Sequence, residues 1–141
     1  QIRYGLVSYI EDEWLGGDGV FYGKTEDNKW GLYQVWVRGE IIPAKYDSIE
    51  SLGWDSPFTI VWNNGKAGVY KDVFGKPIES IPCLYEDAVR GNTDGYYYLA
   101  TKKDGKWGFV DWSNGKALTE FVYDSFEELP SAGDYLSVYY E

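Results

Sequence analysis

The sequence predicts an all-β protein built from tandem antiparallel β-meander repeats about 38 residues long, and three observations predict it. Tyr9, Tyr46, Tyr85 and Tyr123 stand 37, 39 and 38 residues apart. A second aromatic follows each tyrosine by twelve residues, at Phe21, Phe58, Tyr97 and Tyr135. Nine or ten residues further on, a turn leads into an X-Gly pair: Trp30-Gly31, Ala67-Gly68 and Trp107-Gly108. A fixed period of this size means one supersecondary unit used several times, each burying its apolar face on its neighbours. Aromatics make up 19% of the chain and glycines number 17, a mix that suits pleated strands joined by tight turns.

Aligned on the tyrosines, 141 residues divide into units 9–45, 46–84 and 85–122, with partial units 1–8 and 123–141, in one domain. Within the second unit, Phe58 to Trp62 and Ala67 to Lys71 flank Asn63-Asn64-Gly65-Lys66, which predicts a hairpin on the Asn-Gly pair. Tyr97 to Lys102 and Trp107 to Asp111 repeat it around Asp104-Gly105. Second turns at Arg38-Gly39, Gly75-Lys76 and Gly115-Lys116 lead to a third strand, such as Glu40 to Tyr46. Pro43 and Pro77 would remove ladder donors, so this strand is expected at an edge or to begin late. The units carry three strands, or four if the stretch after each tyrosine is extended. A solenoid-like stack or curled sheet is expected, with propeller-like or barrel closure as the alternative. The strand glycines need a cover, and the tyrosine of an adjacent unit is the expected one.

Asn28-Lys29-Trp30-Gly31-Leu32-Tyr33 and Asp104-Gly105-Lys106-Trp107-Gly108-Phe109-Val110-Asp111, followed by Gly115-Lys116 and Val122-Tyr123-Asp124-Ser125, resemble bacterial WG repeats over nearly the whole chain. The second unit departs from that pattern, with Ala67 for the tryptophan, but keeps Asn64-Gly65-Lys66 and Gly68-Val69-Tyr70. The segment around Tyr4-Gly5 departs further. The resemblance implies a bacterial all-β module that mediates interactions; it brings no catalytic residues.

The net charge of −10 repels phosphate backbones and anionic headgroups, which argues against nucleic acid and membrane surfaces as partners. No apolar run reaches the length of a membrane span and no leader pattern opens the chain, which leaves cytoplasmic and exported locations open. With no histidine, Ser-His-Asp and Cys-His machinery and imidazole ligands are excluded. Cys83, the only cysteine, reads as a buried apolar residue, and no phosphate-binding or EF-hand loop occurs. No cofactor or metal is expected.

Carboxylates recur after the unit tyrosines: Glu11, Asp12 and Glu13; Asp47 and Glu50; Glu86 and Asp87; Asp124, Glu127 and Glu128. Recurrence at matching positions favours solvated loops over one acid–base pair or a calcium site. Lysines gather instead at the turns, at Lys29, Lys66, Lys106, Lys76 and Lys116, which predicts a surface striped by charge. An acidic face would speed docking of a basic protein, and Glu11, Asp12, Glu13, Glu127 and Glu128 are its candidate residues. Trp14 and Trp54, beside Gly16-Gly17 and Pro57, are the loop tryptophans expected to stack on sugar rings or anchor an interface. The leading expectation is a non-enzymatic protein-interaction module. An acidic inhibitor of a basic toxin or enzyme follows, then a carbohydrate-binding module.

Overall fold

A computed structural model describes residues 8–9, 20–34, 39–50, 57–73, 75–93, 96–128 and 136–139 of the chain. Among them the protein is all-β: β1 (Ser8–Tyr9), β2 (Val20–Lys24), β3 (Trp30–Gln34), β4 (Gly39–Tyr46), β5 (Ser48–Ile49), β6 (Phe58–Asn63), β7 (Lys66–Lys71), β8 (Ile78–Tyr85), β9 (Asp87–Thr93), β10 (Tyr96–Lys103), β11 (Lys106–Val110), β12 (Ser125–Glu128) and β13 (Leu136–Tyr139). These form two four-stranded antiparallel sheets, β1-β2-β3-β4 and β5-β6-β7-β8, a three-stranded sheet β11-β10-β9, and the pair β12-β13. None of the sheets is closed. The stretch after Tyr46 is extended and supplies β5, the fourth strand of the second sheet.

Turn chemistry sets the hairpins. Asn64 and Gly65 have φ of 53° and 74°, and Asp104 and Gly105 have 52° and 78°, the left-handed pairs that a two-residue turn needs. The β2–β3 turn is one residue longer: Lys24 pairs with Trp30, Asn28 sits at φ 60°, and Thr25 N–H donates to the Lys29 carbonyl at 2.9 Å.

Two apolar cores lie between successive sheets. Side chains alternate across a strand, so a central layer must be apolar on both faces. Strand β6 shows this: Val61 joins a core with Tyr22, Leu32, Ile42, Tyr46 and Tyr70, while Phe58 and Ile60 join a second core with Val69, Ile81, Leu99 and Val110. Phe126 of β12 then packs edge-on against Tyr98, Trp107 and Phe109 on the far face of the third sheet.

Pro43 and Pro82 lie in β4 and β8, each the outer strand of its sheet, as the missing donor requires. Both strands bulge there. Trp30 pairs with Tyr46 but Leu32 with Ile42, and Ala67 pairs with Tyr85 but Val69 with Ile81. The extra residues press the backbone onto the opposing glycine. A Cβ on Gly31 would lie 2.6 Å from the Ile42 oxygen, and one on Gly68 2.6 Å from the Ile81 oxygen. Backbone from the same sheet therefore covers these glycines, which corrects the expectation that an adjacent tyrosine does. At Gly108 the cover is the Phe121 ring, 2.7 Å from a built Cβ.

The registers correct two further expectations. Trp30, Ala67 and Trp107 face Tyr46, Tyr85 and Tyr123, whereas Tyr9 pairs with Gly23 and does not hold the matching place. Tyr98, not Tyr97, takes the place of Phe58, since Trp62↔Ala67 matches Lys102↔Trp107. Tyr97 points to the opposite face and meets Phe58 edge-on at 6.4 Å.

Candidate binding surface

The acidic residues after the tyrosines bond to nearby backbone and turns, in part across sheets. Asp47 leaves β4 and accepts from Lys29 Nζ in the β2–β3 turn at 2.5 Å and from Asn64 N–H in the β6–β7 turn at 2.8 Å. One carboxylate thus ties the turns of two successive sheets. Glu86 accepts from Gly105 N–H at 3.0 Å, and Asp124 pairs with Lys106. The expected separation of acidic loops from basic turns is corrected by these pairs: the turn lysines Lys29 and Lys106 meet the acids directly. Asp87 accepts from Ala88 N–H at 2.8 Å. Glu50 meets Arg90 Nε of the third sheet at 3.3 Å, and Arg90 also donates to the Phe58 carbonyl at 2.8 Å.

Local electrostatics follow from these contacts. The Lys29 hydrogen bond, aided by Asn64 N–H, holds the Asp47 carboxyl below the usual carboxylate range. Burial raises that of Glu50, and the Arg90 guanidinium opposes the rise. Between the first two sheets, Tyr46 donates from its hydroxyl to Glu79 Oε2 at 2.5 Å, with Tyr70 edge-on at 6.2 Å. Burial and that hydrogen bond push the Tyr46 hydroxyl well above the ordinary phenol range. Burial, then nearby Glu79 and Glu40, raise Tyr70. Burial, then Glu79, raises the Cys83 thiol, which donates to the Val61 carbonyl at 3.7 Å and is a poor nucleophile there.

A phenol whose folded pKa exceeds the unfolded value of about 10 stabilises the fold below that pH, and the contribution is lost as pH rises above it. In an ultraviolet titration, Tyr46 and Tyr70 should keep their protons after exposed tyrosines ionise, and release them together with unfolding. Ionisation of every tyrosine as one population, with the fold intact, would contradict the buried Tyr46–Glu79 contact.

Of the sequence-derived site residues, Glu127 is exposed on β12 opposite Ser137, and Glu128 pairs with Leu136. Glu11, Asp12, Glu13, Trp14 and Trp54 lie outside the described residues. Among the described residues no group of histidine, cysteine or carboxylate side chains is placed to hold a metal ion. No helix there is long and apolar enough to cross a membrane.

The outer edge of the second and third sheets is a surface that the sequence did not single out. Ile78 and Leu84 on β8 are 53% and 64% exposed, and Leu118 and Val122, after β11, are 63% and 41%. Tyr85 stacks on Phe121 at 6.0 Å, and Ser80 Oγ donates to the Trp112 carbonyl at 2.7 Å. The two edges therefore lie against each other, with Leu84 and Val122 each next in sequence to a member of the stack. The proline in β8 limits further strand pairing there, so side chains dominate what this edge offers. No known protein family, curated protein or solved structure matches the chain.

Proposed function

We propose that this protein is a non-enzymatic binding module of tandem β-meander repeats, of the kind its resemblance to WG repeats implies, and that its partner is another protein. The observation that carries the reading is the exposure of Ile78 and Leu84 on β8 and of Leu118 and Val122 after β11, on neighbouring edges of the second and third sheets. Several large apolar side chains exposed along neighbouring sheet edges fit a protein interface better than a small-molecule site. The recurring pairs Trp30–Tyr46, Ala67–Tyr85 and Trp107–Tyr123 support the repeat reading. The net charge of −10 favours a partner with a basic surface.

Lysate of the source organism passed over the immobilised protein tests this. One partner retained by the parent should be lost with Leu84→Asp combined with Leu118→Asp, while the thermal midpoint stays within a few degrees. Unchanged retention by a folded double variant would move the interface elsewhere. Glu127→Lys should leave the complex intact but slow its formation at low salt, because a rim charge acts mainly on the association rate.

A further inference from the structure

The tripeptide Asn-Gly-Lys occurs twice, at 64–66 and 114–116, in two different settings. Asn114 Oδ1 accepts from Lys116 N–H at 2.8 Å, and Gly115 N–H donates to the Asp111 carbonyl at 2.7 Å. A Cβ built on Gly115 would meet Ile81 at 3.4 Å, so this turn is packed as well as bonded. At the other copy, Asn64 and Gly65 are both exposed and nothing lies within 4 Å of a Cβ built on Gly65. Among the described residues the Asn64 side-chain amide and the Gly65 N–H have no hydrogen-bond partner; only the Asn64 main-chain N–H is held, by Asp47. In the corresponding turn of the third sheet, by contrast, Glu86 occupies the Gly105 N–H.

From this contrast we infer that Asn64 is a site of spontaneous covalent modification, by deamidation through a cyclic imide. The Gly65 nitrogen, having given its proton to solvent base, attacks Asn64 Cγ. A new N–C bond forms, the Cγ–Nδ2 bond breaks, and the amide nitrogen takes up a proton and leaves as ammonia. Water then opens the imide. Attack at Cγ gives aspartate, and attack at the main-chain carbonyl gives isoaspartate, with the backbone rerouted through the side chain. The step needs a glycine nitrogen free to lose its proton and a side-chain carbon free to approach it. The Asn64 turn leaves both free; the Asn114 turn ties both.

The two products differ in effect. Asp104 already fills the corresponding place in the third sheet at φ 52°, so aspartate suits the turn. Isoaspartate adds a backbone carbon to a two-residue turn, and either product places a new carboxylate beside the Asp47 carboxylate that ties this turn to Lys29. Conversion to isoaspartate would therefore loosen the link between the first and second sheets.

The folded protein, aged in warm, mildly alkaline buffer, should show the unit mass gain at the Asn64 peptide several-fold faster than at the Asn114 peptide. In denaturant the two rates should converge, because both sites share Asn-Gly-Lys-Ala. Asn64→Gln should abolish the gain at that position, since its imide would require a larger ring. Equal rates in the folded protein, faster conversion of Asn114, a preference for Asn64 that persists unchanged in denaturant, or no conversion of Asn64 would each overturn the inference.

Discussion

Gly68→Ala and Gly31→Ala should each lower unfolding stability by about 3 kcal/mol in urea denaturation, while Gly108→Ala should lose only about 1 kcal/mol. Alanine suits a strand better than glycine by about 0.5 to 1 kcal/mol, so propensity alone would favour all three substitutions. Steric contact reverses the sign. At Gly68 a Cβ would lie 2.6 Å from the Ile81 oxygen and 2.8 Å from the Cys83 nitrogen; at Gly31 it would lie 2.6 Å from the Ile42 oxygen and 2.8 Å from the Ala44 nitrogen. These atoms are backbone and cannot rotate aside, so the bulge or the strand pairing must give way. At Gly108 the obstacle is an aromatic ring on a segment without regular strand structure, which can turn or shift. Equal losses at all three positions would mean that the bulges opposite Gly31 and Gly68 do not crowd the glycines.

The second large effect is expected at Phe58. Its ring is fully buried, stacks on Trp112 at 5.0 Å with planes 16° apart, and lies in the core between the second and third sheets. Phe58→Ala should cost about 4 kcal/mol, the sum of lost transfer energy and the cavity left behind. That is a large share of the roughly 5 to 15 kcal/mol that holds a domain together. Trp112 loses its stacking partner, so tryptophan emission should shift to the red even where the variant remains folded. Phe58→Leu should recover most of the stability but not the emission. A loss under about 1 kcal/mol would show that these sheets do not depend on this contact.

The architecture was legible where a local rule decides it. Asn64-Gly65 and Asp104-Gly105 marked their hairpins because few residues tolerate positive φ, and Pro43 placed its strand at an edge because it lacks a donor. Long-range register was less legible, because spacing in sequence passes through loops of different length. The twelve-residue interval puts Tyr97 beside Phe58 on paper, but a one-residue slip turns the side chain to the other face. Tyr9 fails for a similar reason, since a tyrosine at the expected interval falls on another cross-strand pair.

Two features needed the pairing itself. Trp62 has no aromatic counterpart in sequence, yet it faces Ala67 where Lys24 faces Trp30 and Lys102 faces Trp107. In the second sheet the large ring thus stands on the partner strand, opposite the alanine. The recurrence of Asp47, Glu86 and Asp124 was visible, but their role was not: each carboxylate finds its lysine or N–H about eighteen residues away, across a sheet boundary or a turn. The apolar edge at Leu84 and Leu118 was hidden for a simpler reason. Leu84 sits between Cys83 and Tyr85 and Leu118 between Ala117 and Thr119, so neither local pattern marks an exposed side chain, and only the position of each segment in the fold shows that it is uncovered.

The separation of the core into two clusters has a consequence for how such a chain can change length over evolutionary time. In a closed ring, each blade must subtend a fixed angle, and gain or loss of one strains all the others. Here one core joins the first and second sheets, another joins the second and third, and no sheet closes among the described residues. Duplication of one layer would add one new interface and leave the existing ones in place. Selection on copy number would then act through the surface that each added layer extends, and not through any geometric quota.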